Sequence, residues 1–109
     1  MERKIIAYKH YYSDFMKTLS LKEQKKIHYG LDLWGAQERI SLKFVRHIKG
    51  GLYELRTEYE SNIYRIFFVF DDDKIVVLFN GFQKKTQKTP KNEIDKAIKI
   101  KNEYYESKQ

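Results

Sequence analysis

The nine residues Asn62-Ile63-Tyr64-Arg65-Ile66-Phe67-Phe68-Val69-Phe70 constrain this chain more than any other stretch. Successive side chains of a strand point to opposite faces, and here both faces are apolar except at Arg65. Such a strand needs cover on both sides and reads as a central one. The preceding run, residues 52–59, alternates: Leu52, Glu54, Arg56 and Glu58 on one side, Tyr53, Leu55, Thr57 and Tyr59 on the other. Asp71-Asp72-Asp73 forms a tight turn, and residues 74–80 (KIVVLFN) give the next strand. Links this short make an antiparallel meander.

The flanking segments supply helices. Residues 4–8 suit a first short strand, and Ser13-Asp14 can open a helix with Phe15, Met16 and Leu19 on its apolar side. Ser20 with Glu23 three residues on is a capping box. Beyond it Leu21, Gln24, Ile27, His28, Leu31 and Trp34 recur at helical spacing, and Gly35 is a stop. A short helix over 37–42 and a strand over 43–48 precede the Gly50-Gly51 turn. Near the end, Thr89 as N-cap and Pro90 at the first helical position start a last helix. Its stripe is Ile94, Ala97, Ile98 and Tyr105, interrupted by Lys101. The expected class is α+β: a small twisted antiparallel sheet of four to five strands, with the helices on one face.

Composition narrows the function classes. A chain of 109 residues with 41% hydrophobic and 16% aromatic content supports one core, so residues 1–109 are expected to be a single domain. The absence of cysteine excludes a disulfide framework and Cys-type zinc sites. His10, His28 and His47 stand too far apart for a metal-ligand motif. No segment reaches the roughly 18 apolar residues of a membrane span, and the N-terminus has no signal-peptide pattern; a cytoplasmic location is expected. The net charge of +7 is uneven: residues 41–79 are balanced, while residues 1–40 carry +3 and residues 80–109 carry +4. Basic ends favour an anionic partner such as nucleic acid.

Three places can carry chemistry. Arg65 must reach an anion or the sheet edge, because an unpaired buried guanidinium is costly. It can clamp a phosphate with its planar fork, or close a salt bridge to Glu54, Glu58 or Glu60 across the hairpin; the pattern leaves both open. Arg56, flanked by Glu54 and Glu58, is expected on the neighbouring strand at similar height to Arg65. The segment 80–90 (NGFQKKTQKTP) places Lys84, Lys85 and Lys88 with Phe82 and Thr86 between a strand end and a helix N-terminus, where anions are favoured. Motifs for nucleophilic, nucleotide-binding or zinc-peptidase chemistry are absent.

Residues 50–56 (GGLYELR), 62–70 (NIYRIFFVF) and 78–90 (LFNGFQKKTQKTP), followed by KNEIDKA, resemble the phage-derived, HigB-like branch of the RelE/ParE superfamily of bacterial toxins. The likeness covers most of the chain and is most specific over residues 50–97. It implies the toxin of a type II toxin–antitoxin pair, partnered by a helix-turn-helix, HigA-like antitoxin. It further implies cleavage of mRNA on the ribosome without metal or cofactor, the ribose 2′-OH attacking the adjacent phosphate to leave a 2′,3′-cyclic phosphate. By that resemblance Arg65, Arg56, Lys84 and Lys85 are catalytic, and Lys88, Phe82, Thr86 and Tyr64 bind RNA. His47, Glu54 and Glu58 are candidate general bases. The chain departs from RelE in having Leu52 and Glu54 where that toxin carries lysines, and in lacking a late tyrosine, since Tyr104 and Tyr105 lie deep in the last helix. The superfamily fold also serves gyrase-binding toxins, and a chain of this kind can retain antitoxin binding alone.

Overall fold

The computed structural model describes residues 3–36, 44–72, 75–84 and 89–108. In chain order the elements are β1 (Lys4–Ala7), α1 (Tyr11–Lys17), α2 (Leu21–Ala36), β2 (Val45–Lys49), β3 (Leu52–Tyr59), β4 (Asn62–Asp72), β5 (Ile75–Lys84) and α3 (Lys91–Ser107). The strands form one sheet in the order β1-β5-β4-β3-β2. The expected α+β class and meander hold, and Leu52–Tyr59 is the strand its alternation specified. The sheet is mixed, however: β1 runs parallel to β5, pairing Lys4 through Ala7 with Ile75 through Leu78. Two helices separate β1 from the meander, which leaves it free to enter at the far edge in either direction.

Helices cover both faces, not one as expected. On one face α1 and α2 bury Tyr12, Phe15, Met16, Ile27, Leu31 and Trp34 against Leu55, Tyr64, Ile66, Phe68, Val76 and Leu78. On the other, Ala97, Ile100 and Tyr104 of α3 pack on Leu52, Phe67, Val69, Val77 and Phe79. The two-sided apolarity of β4 requires this: Phe67 and Val69 would lie in water without α3. In α3 Ala97 is buried, with Ile94 and Ile98 packed beside it, as expected, but the buried tyrosine is Tyr104, while Tyr105 is exposed. Lys101 interrupts nothing, because its ammonium reaches the Gly50 carbonyl at 2.7 Å.

Local chemistry sets the boundaries. The capping box at the start of α2 is formed, with the Glu23 N–H donating to Ser20 Oγ at 3.2 Å and the Ser20 N–H to Glu23 Oε1 at 2.9 Å. Helix α1 starts two residues before the expected Ser13, with His10 preceding it. At the other end β5 continues to Lys84, past the expected end at Asn80, because Gly81, Phe82, Gln83 and Lys84 pair with Ile66, Arg65, Tyr64 and Ile63. A register shift lies in β5 between its pairings to Ile66 and Phe68. Just past it Gly81 lets α1 approach closely, for an added Cβ would meet the Phe15 ring at 2.5 Å. The expected helix over 37–42 lies outside the described residues.

Candidate functional site

The register of β3 and β4 sets Arg56 directly opposite Arg65, as the pattern of the two strands anticipated. Both belong to the sheet face that α3 covers, together with Glu54 and Phe82, whose β5 position pairs with Arg65. The two arginines differ in setting. Arg65 is 7% exposed and Glu54 is fully buried, and the Arg65 guanidinium donates through Nη1 to Glu54 Oε1. The Arg65 Nε–H is buried without a partner among the described residues. Arg56 is partly exposed and ion-paired with Glu58, which faces solvent.

Thr89 closes this cluster from the helix side. Its hydroxyl donates to the second carboxylate oxygen of Glu54 at 2.9 Å, so both oxygens of that buried acid are engaged. Thr89 therefore does not cap α3 as expected. The capping position falls to Pro90, with no side-chain hydrogen bond, and the helix begins at Lys91. The chain leaves the N-terminus of α3 beside the Arg65–Glu54 pair, where helical N–H groups favour anions. Phe82 stacks on Phe67 with ring centroids 5.6 Å apart and forms an aromatic wall on the same face.

Other expected participants lie elsewhere. Tyr64 points to the opposite face, where it is buried and donates its hydroxyl to Glu23 of α2. Burial and then the Glu23 carboxylate push that phenol up to about 12. His47 also lies on the α2 face, edge-on to Tyr53 at 5.2 Å, and so does not converge with the arginines. Glu58 is held by Arg56 and Glu54 by Arg65. Lys84 ends β5; Lys85, Thr86 and Lys88 lie outside the described residues. Among the described residues no group of three His, Asp or Glu side chains is placed to hold a metal ion.

Sequence reasoning passed over Asn80 and misplaced Thr89. Asn80 is 2% exposed, and both atoms of its amide lack partners among the described residues. It lines a cleft of about 390 Å³ between α1, the open end of β5 and α3, together with Tyr11, Asp14, Phe82 and Lys96. An asparagine ending an apolar strand was the available signal, of the same kind as Arg65. The role of Thr89 left no signal, because a threonine before proline reads as a cap.

A family model described as Phage derived protein Gp49-like (DUF891) matches residues 14–102. That span takes in both faces of the sheet, the arginine pair and most of α3. No curated protein matches.

Proposed function

Because the chain belongs to the phage-derived, Gp49-like family, which is linked to RelE-type, toxin-like proteins, we propose that it is the toxin of a type II toxin–antitoxin pair, of the HigB-like branch, and a ribosome-dependent endonuclease on mRNA. The observation that carries this reading is the opposition of Arg56 and Arg65 on β3 and β4, beside Phe82 and the start of α3. In the proposed reaction the 2′-oxygen forms a bond to the adjacent phosphorus and the bond to the 5′-oxygen breaks. The products are a 2′,3′-cyclic phosphate and a free 5′-hydroxyl. One proton leaves the 2′-hydroxyl and one is delivered to the departing oxygen, so no metal or cofactor enters the balance.

The settings of the side chains divide the labour. Arg56 is exposed enough to meet a phosphate oxygen, and neutralising charge that develops there accounts for much of catalysis in such transfers. Glu58 adjoins it and is the base candidate that solvent and substrate can reach. Arg65, locked to Glu54, holds the buried floor, and its Nε–H has no partner among the described residues. Lys84, Lys85 and Lys88 grip RNA in this reading, with Thr86 and Phe82 alongside; a HigA-like helix-turn-helix antitoxin is the partner. Tyr64, turned toward Glu23, is given a packing role instead.

The burial of Arg65 against Glu54 favours a second reading, a binding protein that has kept the fold and lost the chemistry. One assay separates the two: primer extension on a short mRNA incubated with the purified chain, with and without programmed ribosomes. Cuts only in the ribosome lane are expected, and Arg56→Ala should remove them while leaving the melting temperature unchanged. Cuts on naked RNA would keep the nuclease and drop the ribosome. Uncut RNA in both lanes from a folded chain that arrests growth would turn attention to a gyrase target, and from one that does not, to the binding-only reading.

A further inference from the structure

On the face away from Arg65, a groove of about 370 Å³ runs between α2 and the β2–β3 side of the sheet. Tyr29, Leu33 and Trp34 line it from the helix, Phe44 and Leu55 from the sheet side, and Lys26 is also part of its lining. Three of these large side chains lie open to solvent: Tyr29 is 59% exposed, Leu33 49% and Phe44 44%. Scattered apolar residues on a surface need no explanation, but several gathered round one concavity mark an interaction site. Its volume falls in the range of clefts that take side chains or ligands.

Among the described residues, the charge around the groove that has no ion-pair partner is positive. Lys22, Lys26, Tyr29 and Leu33 follow one another at spacings of four, three and four, which places them on one stripe of α2. Lys22, Lys25 and Lys26 are exposed, and among the described residues none has a carboxylate partner. Lys26 rests over the Tyr29 ring at 5.9 Å. The acid that lines the groove, Glu58, is already neutralised by Arg56. An occupant must therefore bring apolar anchors for the floor and negative charge for the lysines. RNA supplies the charge without alkyl anchors, and a neutral apolar segment supplies the anchors without the charge.

We propose that this groove docks an acidic amphipathic helix of a partner protein, its apolar side chains seated among Tyr29, Leu33, Phe44 and Leu55 and its carboxylates facing Lys22, Lys25 and Lys26. Helix-in-groove recognition uses anchors at i, i+3 or i+4, and i+7, and opposite charge around such a groove speeds and orders the encounter. Arg56 and Glu58 also line the groove, so a partner held here comes against the exposed arginine of the Arg56–Arg65 pair. The inference does not depend on the nuclease reading.

The test is selection of displayed random peptides of about 16 residues on the full chain, followed by fluorescence anisotropy of each recovered peptide. Peptides are titrated against the parent chain, Leu33→Glu and Lys26→Glu. Both substitutions are on the exposed side of α2, and melting curves confirm that each variant is folded. The expected binders are net negative with apolar residues at helical spacing, weakened about tenfold or more by either variant and weakened by added salt. Binders that are basic or lack the helical period would overturn the proposal, as would a selection that yields none sensitive to Leu33→Glu. So would a short RNA whose binding Leu33→Glu abolishes. A dimer of the parent chain in sedimentation, lost in Leu33→Glu, would make a second copy the occupant and overturn it equally.

Discussion

Arg65 and Glu54 form a buried ion pair inside an apolar strand environment, and such pairs respond unevenly to mutation. Removing one partner leaves the other charge buried and uncompensated, which costs about 3–5 kcal/mol. Replacing both with apolar groups of similar volume is often neutral. Arg65→Ala and Glu54→Ala should each lower the urea midpoint strongly, while Arg65→Met combined with Glu54→Leu should recover much of the loss. Single variants with the parent midpoint would show that the pair is not held as described. The comparison also bears on chemistry, because a folded double variant that still cuts RNA would assign catalysis to Arg56 and the lysines alone. The sequence made Arg65 conspicuous by its polarity in an apolar run, and it offered both readings of the residue. It had no means of choosing, since the choice depends on Thr89 arriving from 35 positions away along the chain to complete the shell of Glu54.

Elements were legible wherever their signals were local. The capping box of α2, the alternation of β3 and the apolar run of β4 are all properties of a few consecutive residues, and each appears where its residues specify. Boundaries that depend on a distant partner were not legible. Strand β5 runs on through Phe82 and Lys84 because β4 continues alongside it, and nothing within residues 80–84 marks that continuation. The β3–β4 hairpin shows a related gap between sequence and backbone. Tyr59 pairs with Asn62, leaving a two-residue turn in which Glu60 and Ser61 have φ of 48° and 68°. Both positions thus lie in the left-handed region, which tight hairpins favour and which Asn-Gly fits best. Side chains other than glycine and asparagine meet a local penalty there. Glu60→Asn with Ser61→Gly should therefore stabilise the chain by about 1 kcal/mol, read as a higher urea midpoint with an unchanged slope. A lower midpoint would mean that the turn is held by contacts of Glu60 or Ser61 that outweigh the backbone term.

At the scale of the whole molecule, the sheet is a middle layer between α1–α2 and α3. The two apolar faces of β4 imply that arrangement, but which helix covers which face depends on connection geometry that residue patterns do not encode. Three carboxylates strap the layers together. Glu23 of α2 accepts from Tyr64 of β4. Glu103 of α3 accepts from Lys9 and Tyr8 beside β1, at 2.8 and 3.0 Å. Asp71 of β4 accepts from Tyr104 and Lys108 at the end of α3. All three are held below the ordinary carboxylate range: Glu23 chiefly by the Tyr64 hydroxyl, Glu103 by Lys9 and Asp71 by Lys108. A carboxyl group with a depressed folded pKa stabilises the fold above its unfolded pKa, about 4. That contribution is lost as pH falls through the lower folded value, because the unfolded chain then binds more protons. Lys9 and Lys108 are shifted upward by the same contacts, and Tyr64 to about 12. Their contributions are present below their unfolded values, near 10, and fade as pH rises through the folded ones. These groups together predict a plateau of stability from about pH 5 to about pH 9, with loss on both sides. The acid limb is the sharper test. In urea midpoints measured across pH, the triple variant Glu23→Gln, Asp71→Asn, Glu103→Gln should have a lower plateau and a flatter fall below about pH 5. An acid limb as steep as the parent's would mean that the straps contribute nothing to acid unfolding, and that the layers are joined by their apolar contacts alone.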